Sequence, residues 1–264
     1  MKTLSIFLAC VVVLAGAEPS QSWNHNPGDL KRGPAAWAEV DTPYRTCAAD
    51  VGQKQSPVDI VAAKTIGAAF QPLVFTDRAP ALALENTDHV LEVEYAEGST
   101  VKAGPQPTDS YVLKQWHFHV PSEHRIDGRE YAAELHLVHQ NSIAEVLVVA
   151  ILMDEKLPPR ANLDRVIQGF PRRKSSVPVT SGVPSIASLL PARQSFYRYA
   201  GSLTTPACAE GVQWFVMRNP VGITPSNVKT LHGLVSEFTG YEGYPNNNRP
   251  VAVLNGRTIF RSLP

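Results

Sequence analysis

Gln115-Trp116-His117-Phe118-His119-Val120 and Glu134-Leu135-His136-Leu137-Val138-His139 are the stretches from which the fold is read. Side chains of an extended strand alternate between two faces, so residues two apart share one. His117 and His119 therefore face one way, and Trp116, Phe118 and Val120 the other. A turn containing Asp127-Gly128 follows, and the chain returns through the second stretch. If the two strands pair as neighbours, His136 stands beside His117 and His119. Working outward, Leu82–Leu84, Val90–Tyr95, Glu145–Met153, Ser195–Gly201 and Val212–Arg218 carry the same strand character. The first histidine strand spans Tyr111–Val120 and the second Ala132–His139. Glu145–Met153 is almost wholly apolar, as a central strand should be. Helical patterns are few: Leu163–Phe170, Ile186–Leu190 and Ser226–Phe238, the last with Ser226 as its expected N-cap. Segment 18–50, with Trp23 and Trp37, reads as a non-regular arm laid on the core. No linker divides two compositions and no repeat is present. The expectation is one mainly β domain with short peripheral helices.

Three neutral imidazoles bind Zn²⁺ and leave a fourth tetrahedral position open for water, the mark of a catalytic site. Gln115 lies two residues before His117, and Glu134 two before His136. Each can accept the remaining imidazole N–H and so fix the tautomer and ring direction. The competing reading is a set of core histidines bonded to backbone carbonyls. His139 is out of phase with His136 and is expected to be structural, as are His124 and His232.

The bulk composition narrows the function. The chain has 264 residues, 44% hydrophobic and 18% charged, which is globular. Lys+Arg and Asp+Glu are both 24, so no charge excess recruits nucleic acid or an anionic membrane. A small-molecule substrate fits better. At the start, Lys2, the apolar run Leu4–Leu14 and the small residues Ala15-Gly16-Ala17 read as an export signal over residues 1–17, followed by one domain over 18–264. The run is too short to span a bilayer comfortably, so no membrane span remains after cleavage. A buried N-terminal helix is the alternative. The expected destination is the periplasm or the extracellular space. Cleavage also removes Cys10. Cys47 and Cys208 remain, an even pair that suggests a disulfide under oxidising conditions, with two free buried thiols as the other reading.

The two histidine stretches resemble the zinc strands of alpha-class carbonic anhydrases. So do Gln55-Ser56-Pro57-Val58-Asp59-Ile60, Pro121-Ser122-Glu123-His124, Tyr199-Ala200-Gly201-Ser202-Leu203-Thr204-Thr205-Pro206 and Asn248-Arg249-Pro250. Their order and spacing match that family from about residue 23 to 260. The resemblance implies a large, mostly antiparallel, twisted central sheet with a conical cleft reaching the zinc. It also implies reversible hydration of carbon dioxide to bicarbonate and a proton by a zinc-bound hydroxide, with a weak esterase side activity.

By position, His117, His119 and His136 are the implied metal ligands. Thr204 matches the residue that orients the hydroxide and passes its own proton to Glu123. Thr205 is placed to contact bicarbonate. Val138, Val148, Leu203, Val212 and Trp214 match the apolar wall for carbon dioxide. Arg249, Tyr199 and Ser56 match a buried polar network. Cys47 and Cys208 match a disulfide of exported members that braces the Thr204 loop. His89 matches the proton shuttle, since an exposed imidazole near pKa ~6.5 can relay a proton to buffer; a surface histidine at a strand start is the other reading.

The surroundings of His89 depart from the family pattern. Thr87-Asp88 replaces Asn-Gly before His89, Glu92 replaces an amide, and His25 takes the place of a tyrosine. Two other functions compete with this one: a zinc-free relative acting as a binding module, and an exported zinc hydrolase acting on esters. The first typically lacks a zinc histidine. The second needs substrate-anchoring groups that the sequence does not offer.

Overall fold

A computed structural model describes residues 22–263 except 160, 162 and 180. The expected export signal lies outside the described residues. Among those residues, thirteen strands join one large sheet. Its main path runs Ser175–Pro178, Ala81–Asn86, Leu91–Tyr95, Ser110–His119, Ala133–Gln140, Val146–Pro159, Glu210–Met217, Phe196–Ser202, Phe260–Ser262 and Ile66–Ala68. Every strand expected from the sequence is present, within a few residues of its expected bounds except that Val146–Pro159 runs six further. Antiparallel pairing dominates. Val146–Pro159 runs parallel to Glu210–Met217 and Val221–Gly222, and Phe260–Ser262 runs parallel to Ile66–Ala68.

Both faces of the sheet centre are covered, which explains the apolar run from Val146. Leu147, Val149 and Ile151 enter one core with Trp116, Phe118, Leu135 and Leu137. Val148, Ala150 and Leu152 enter a second with Tyr199, Val212, Trp214 and Val216. A strand buried on both sides has no reason to alternate in polarity. The first core is closed by the Pro225–Val235 helix, through Val228, Leu231, Leu234 and Val235. Its N-cap is Thr224, whose hydroxyl accepts from Asn227 N at 3.1 Å, and not the expected Ser226. Pro225 decides the start: it has no N–H to leave unpaired and its φ suits the first helical position. Among its described residues the arm before residue 50 holds only a four-residue helix, Trp37–Val40, and a 3₁₀ turn, Thr42–Cys47. Trp23 and Trp37 anchor it in a small cluster with Cys47 and Cys208.

The two histidine strands pair antiparallel with His117 opposite His136 and His119 opposite Glu134. That register puts all three imidazoles on one face.

Candidate metal centre and its cleft

Each of the three histidines has one ring nitrogen committed to an acceptor. His117 Nδ1 donates to Gln115 Oε1, His119 Nδ1 to the Asn247 carbonyl, and His136 Nε2 to Glu134 Oε1, all at 2.8 Å. The other nitrogen of each ring is therefore a bare lone pair. These three nitrogens lie within 4.8 Å of one another. Nε2 of His117 and Nε2 of His119 are only 3.1 Å apart. Two lone pairs at that distance repel unless a cation sits between them. Burial holds His117 well below the ordinary imidazole pKa, His119 down to about 4, and His136 lowered, so all three are neutral ligands at pH 7. Three neutral imidazoles with a free fourth direction suit Zn²⁺. Oε2 of Glu123, fully buried, points toward the cage, 3.5 Å from His119 Nε2 and 4.0 Å from His136 Nδ1, with no hydrogen-bond partner among the described residues.

The supports behind the cage reach further than the sequence indicated. Glu134 also accepts from His124 Nδ1 at 2.6 Å and from the backbone N–H groups of Glu123 and His124 at 2.8 and 2.7 Å. Burial would raise its pKa; His124 and His136 outweigh this and hold it well below the usual carboxylate range. His124 Nδ1 is thus the donor, and its Nε2 accepts from Tyr199 Oη at 2.6 Å. Tyr199 in turn accepts from Ser56 Oγ at 2.9 Å, and Ser56 Oγ accepts from Ser202 N at 3.1 Å. Arg249 donates to Gln55 Oε1 and Ser56 O at 2.8 Å, and its backbone N–H to Glu123 Oε1 at 2.9 Å. Sequence reasoning took His124 as structural, without placing it behind the cage, and did not single out Asn247. A Glu123-His124 pair hinted at the first. The second acts through a carbonyl, which every residue has, so no residue type announces it.

A cleft of about 630 Å³ opens from the cage. Val138, Val148, Leu203 and Trp214 line it beside His117, His136, Thr204 and Thr205. Val212 does not line it. It is buried beneath, in the core that holds Val148 and Trp214. Thr204 is nearly buried and close enough to Glu123 to lower its proton affinity. Burial nonetheless dominates and pushes Glu123 up to about 7, with His136 and the Arg249 N–H opposing. The loop after Thr204 is tied to the arm by a Cys47–Cys208 disulfide with Cα atoms 5.1 Å apart. A second depression, about 280 Å³ between Arg165 and Val183, contains none of these residues.

His89 lines the cleft but is not the exposed imidazole expected. It is half-buried, its ring stacked on Trp23 with centroids 3.6 Å apart and planes at 9°. Burial pushes its pKa down to about 3, with Asp88 opposing and Lys174 assisting. The arm is the cause: Trp23 covers the ring. His25 is fully buried and bonds through Nδ1 to the Tyr241 hydroxyl. Nδ1 of His89 and Nε2 of His25 have no hydrogen-bond partner among the described residues. Glu85, Glu92 and Glu94 share one cleft wall, and burial together with its two neighbours pushes Glu92 up to about 7.

Residues 32–263 match the family description of the eukaryotic-type carbonic anhydrases. A carbonic anhydrase of Neisseria gonorrhoeae is 33% identical over 259 residues, covering 98% of this chain and 95% of its own. The alpha-carbonic anhydrase structure of Photobacterium profundum superposes with a TM-score of 0.76 at 32% identity, covering 90% of this chain and all of its own. That of Thermovibrio ammonificans, solved in complex with the inhibitor sulfanilamide, superposes at 0.77 with 29% identity, covering 90% and 98%. Agreement of this length, in sequence and in backbone alike, means that the chain belongs to the eukaryotic-type, alpha-class carbonic anhydrase family.

Proposed function

We propose that the protein catalyses reversible hydration of carbon dioxide to bicarbonate and a proton, with Zn²⁺ held by His117, His119 and His136. The observation that carries this reading is the convergence of three bare imidazole nitrogens, two of them 3.1 Å apart. The ion supplies hydroxide at neutral pH; carbonic anhydrases are the standard example of a zinc ion lowering the pKa of its water to about 7.

The protein's own residues do the rest. The Thr204 hydroxyl donates its hydrogen bond to Glu123, which leaves the Thr204 oxygen able only to accept a further one. That oxygen orients the nucleophile by its single proton and selects against ligands with no hydrogen to donate. Val138, Val148, Leu203 and Trp214 offer the uncharged substrate a dry wall, backed by Val212, and Thr205 contacts bicarbonate as it leaves. His89 carries the proton to buffer. Stacked on Trp23 it is a poor base, so relay requires the ring to leave the indole for the water of the cleft, where its pKa returns toward ~6.5. A weak esterase activity follows from the same nucleophile. The Cys47–Cys208 bridge supports export through residues 1–17 to the periplasm or the extracellular space.

The test is metal analysis of purified protein together with stopped-flow carbon dioxide hydration. One zinc per chain and hydration abolished by a chelator are expected. Zinc-loaded protein with no hydration activity overturns the reading.

A further inference from the structure

The turn that carries His89 is fastened in an unusual way. It joins the Ala81–Asn86 and Leu91–Tyr95 strands. Thr87 Oγ1 accepts from the N–H groups of His89 and Val90 at 3.3 and 3.0 Å, and Asn86 Oδ1 accepts from Asp88 N at 2.8 Å. Asp88 itself sits at φ +67°, in the left-handed region. Glycine is the unstrained choice there, and aspartate is tolerated at some cost. The strain coincides with two interactions that glycine lacks. Asp88 Oδ1 accepts from Thr239 N at 3.3 Å, across 151 residues of chain. Its negative charge, one residue before His89, also favours the protonated imidazole. The adjacent segment contains Tyr241, whose ring lies 6.3 Å from that of His89.

The charged and titratable groups around the His89 ring come from four elements. The arm contributes His25, with Trp23 stacked on the ring; the bend before Ser175 contributes Lys174; the 239–241 segment contributes Tyr241. The turn itself contributes Asp88. Among these, Asp88 alone is an acid whose charge favours the imidazolium; Lys174 opposes it, and His25, held neutral by burial, stands as an uncharged neighbour. The His89 carbonyl accepts from Asn247 Nδ2 at 3.2 Å, the same residue whose carbonyl receives His119 Nδ1. The turn is therefore anchored on the cage side by Asn247 and on the outer side by Asp88.

We propose that Asp88 is a positioning residue for His89: its tether to Thr239 holds the imidazole against Trp23, and its carboxylate supports the protonated ring. This rests on the reading of His89 as the proton relay. The two roles can be separated by substitution. Asp88→Asn keeps the acceptor oxygen and tolerates the left-handed backbone, so it removes only the charge. Asp88→Gly removes charge and tether together and relieves the backbone. Burial is the largest influence on His89, so a ring freed from Trp23 gains more basicity than loss of the carboxylate takes away.

The two variants should therefore move His89 in opposite directions. The probe is an NMR titration of the histidine ring protons of the zinc-loaded protein from pH 3.5 to 8, with His89 assigned from His89→Gln. Asp88→Asn shifts the onset of His89 protonation to lower pH. Asp88→Gly raises its proton affinity about tenfold or more. In dilute buffer Asp88→Asn lowers kcat about threefold to tenfold and leaves kcat/KM within about twofold, because proton release follows the steps that kcat/KM reports; added imidazole restores kcat. His89 titrations that overlay wild type in both variants overturn the proposal. If His89→Ala keeps full kcat in dilute buffer, the relay reading fails, and the opposed titration shifts still decide whether Asp88 positions the ring.

Discussion

Around His117, His119 and His136 each ring has one nitrogen bonded at 2.8 Å to an acceptor that can only accept. Around His25 and His89 each ring keeps a buried nitrogen with no partner among the described residues. Both regions hold imidazoles made poor bases by burial. In the cage every tautomer is dictated from behind, so the bare lone pairs converge and cannot turn away. Around His25 and His89 the rings are held by stacking on Trp23 and by one bond to Tyr241, which fix a plane more than a proton. A metal site needs the first kind of order. A proton path needs rings whose nitrogens can change partners.

The comparison breaks most visibly at the cage. His117→Ala should lose the metal and, with it, hydration activity, whereas His139→Ala should keep the metal, because His139 faces the other core and bonds to the Leu137 carbonyl. Metal analysis of both variants checks this. A variant His117→Ala that retains stoichiometric zinc would remove the assignment.

Next in size is the bridge that ties the Thr204 loop to the arm. Reduction of Cys47–Cys208 should cost about 2–5 kcal/mol of stability, read as a lower denaturant midpoint in reductant. Unchanged unfolding would mean that the loop is held by Arg249 and Gln55 instead.

Within the cage, Thr204→Val should slow hydration and weaken sulfonamide binding together, by about 1.5–3 kcal/mol for the lost hydrogen bond. Calorimetric titration with sulfanilamide beside hydration kinetics reads both. A loss in one alone would uncouple Thr204 from the nucleophile.

A smaller effect belongs to His139, which burial pushes down to about 4. A histidine depressed in the folded state binds its proton first when unfolded. Its stabilising contribution is complete above pH ~6.5 and is lost as pH falls toward 4, at up to about 1.4 kcal/mol per pH unit. His139→Gln should flatten the stability profile in that window, measured by denaturant unfolding from pH 4 to 7.

The smallest effect is expected at the exit. His89→Ala should lower turnover severalfold in dilute buffer, and added imidazole should restore it with sulfonamide affinity unchanged. Equal turnover would point to His25, and the double variant with His25→Ala decides.

The legible part of the site was its local part. Gln115, His117 and His119 share a face because a strand repeats every two residues, and Glu134 stands two before His136 for the same reason. The helix start was misread at Ser226 because Thr224 and Pro225 act together, one as cap and the other as first residue. Asn247 was missed because it acts on His119 from 128 residues away, and His124 because its partners Glu134 and Tyr199 come from other strands, which the alternation within one strand does not relate to it. Val212 was assigned to the cleft and lies behind it, since sequence gives the face of a residue and not its depth.

Periodicity, the order of motifs and residue chemistry were thus enough to determine the sheet, the convergence of His117, His119 and His136 on one face, and the family. The packing of distant segments decided the rest: the Asn247 carbonyl behind His119, the arm that lays Trp23 over His89, and the left-handed Asp88 that holds the turn. Side-chain alternation is a property of the strand itself, whereas burial, and the proton affinities that follow from it, depend on what the rest of the chain places on top.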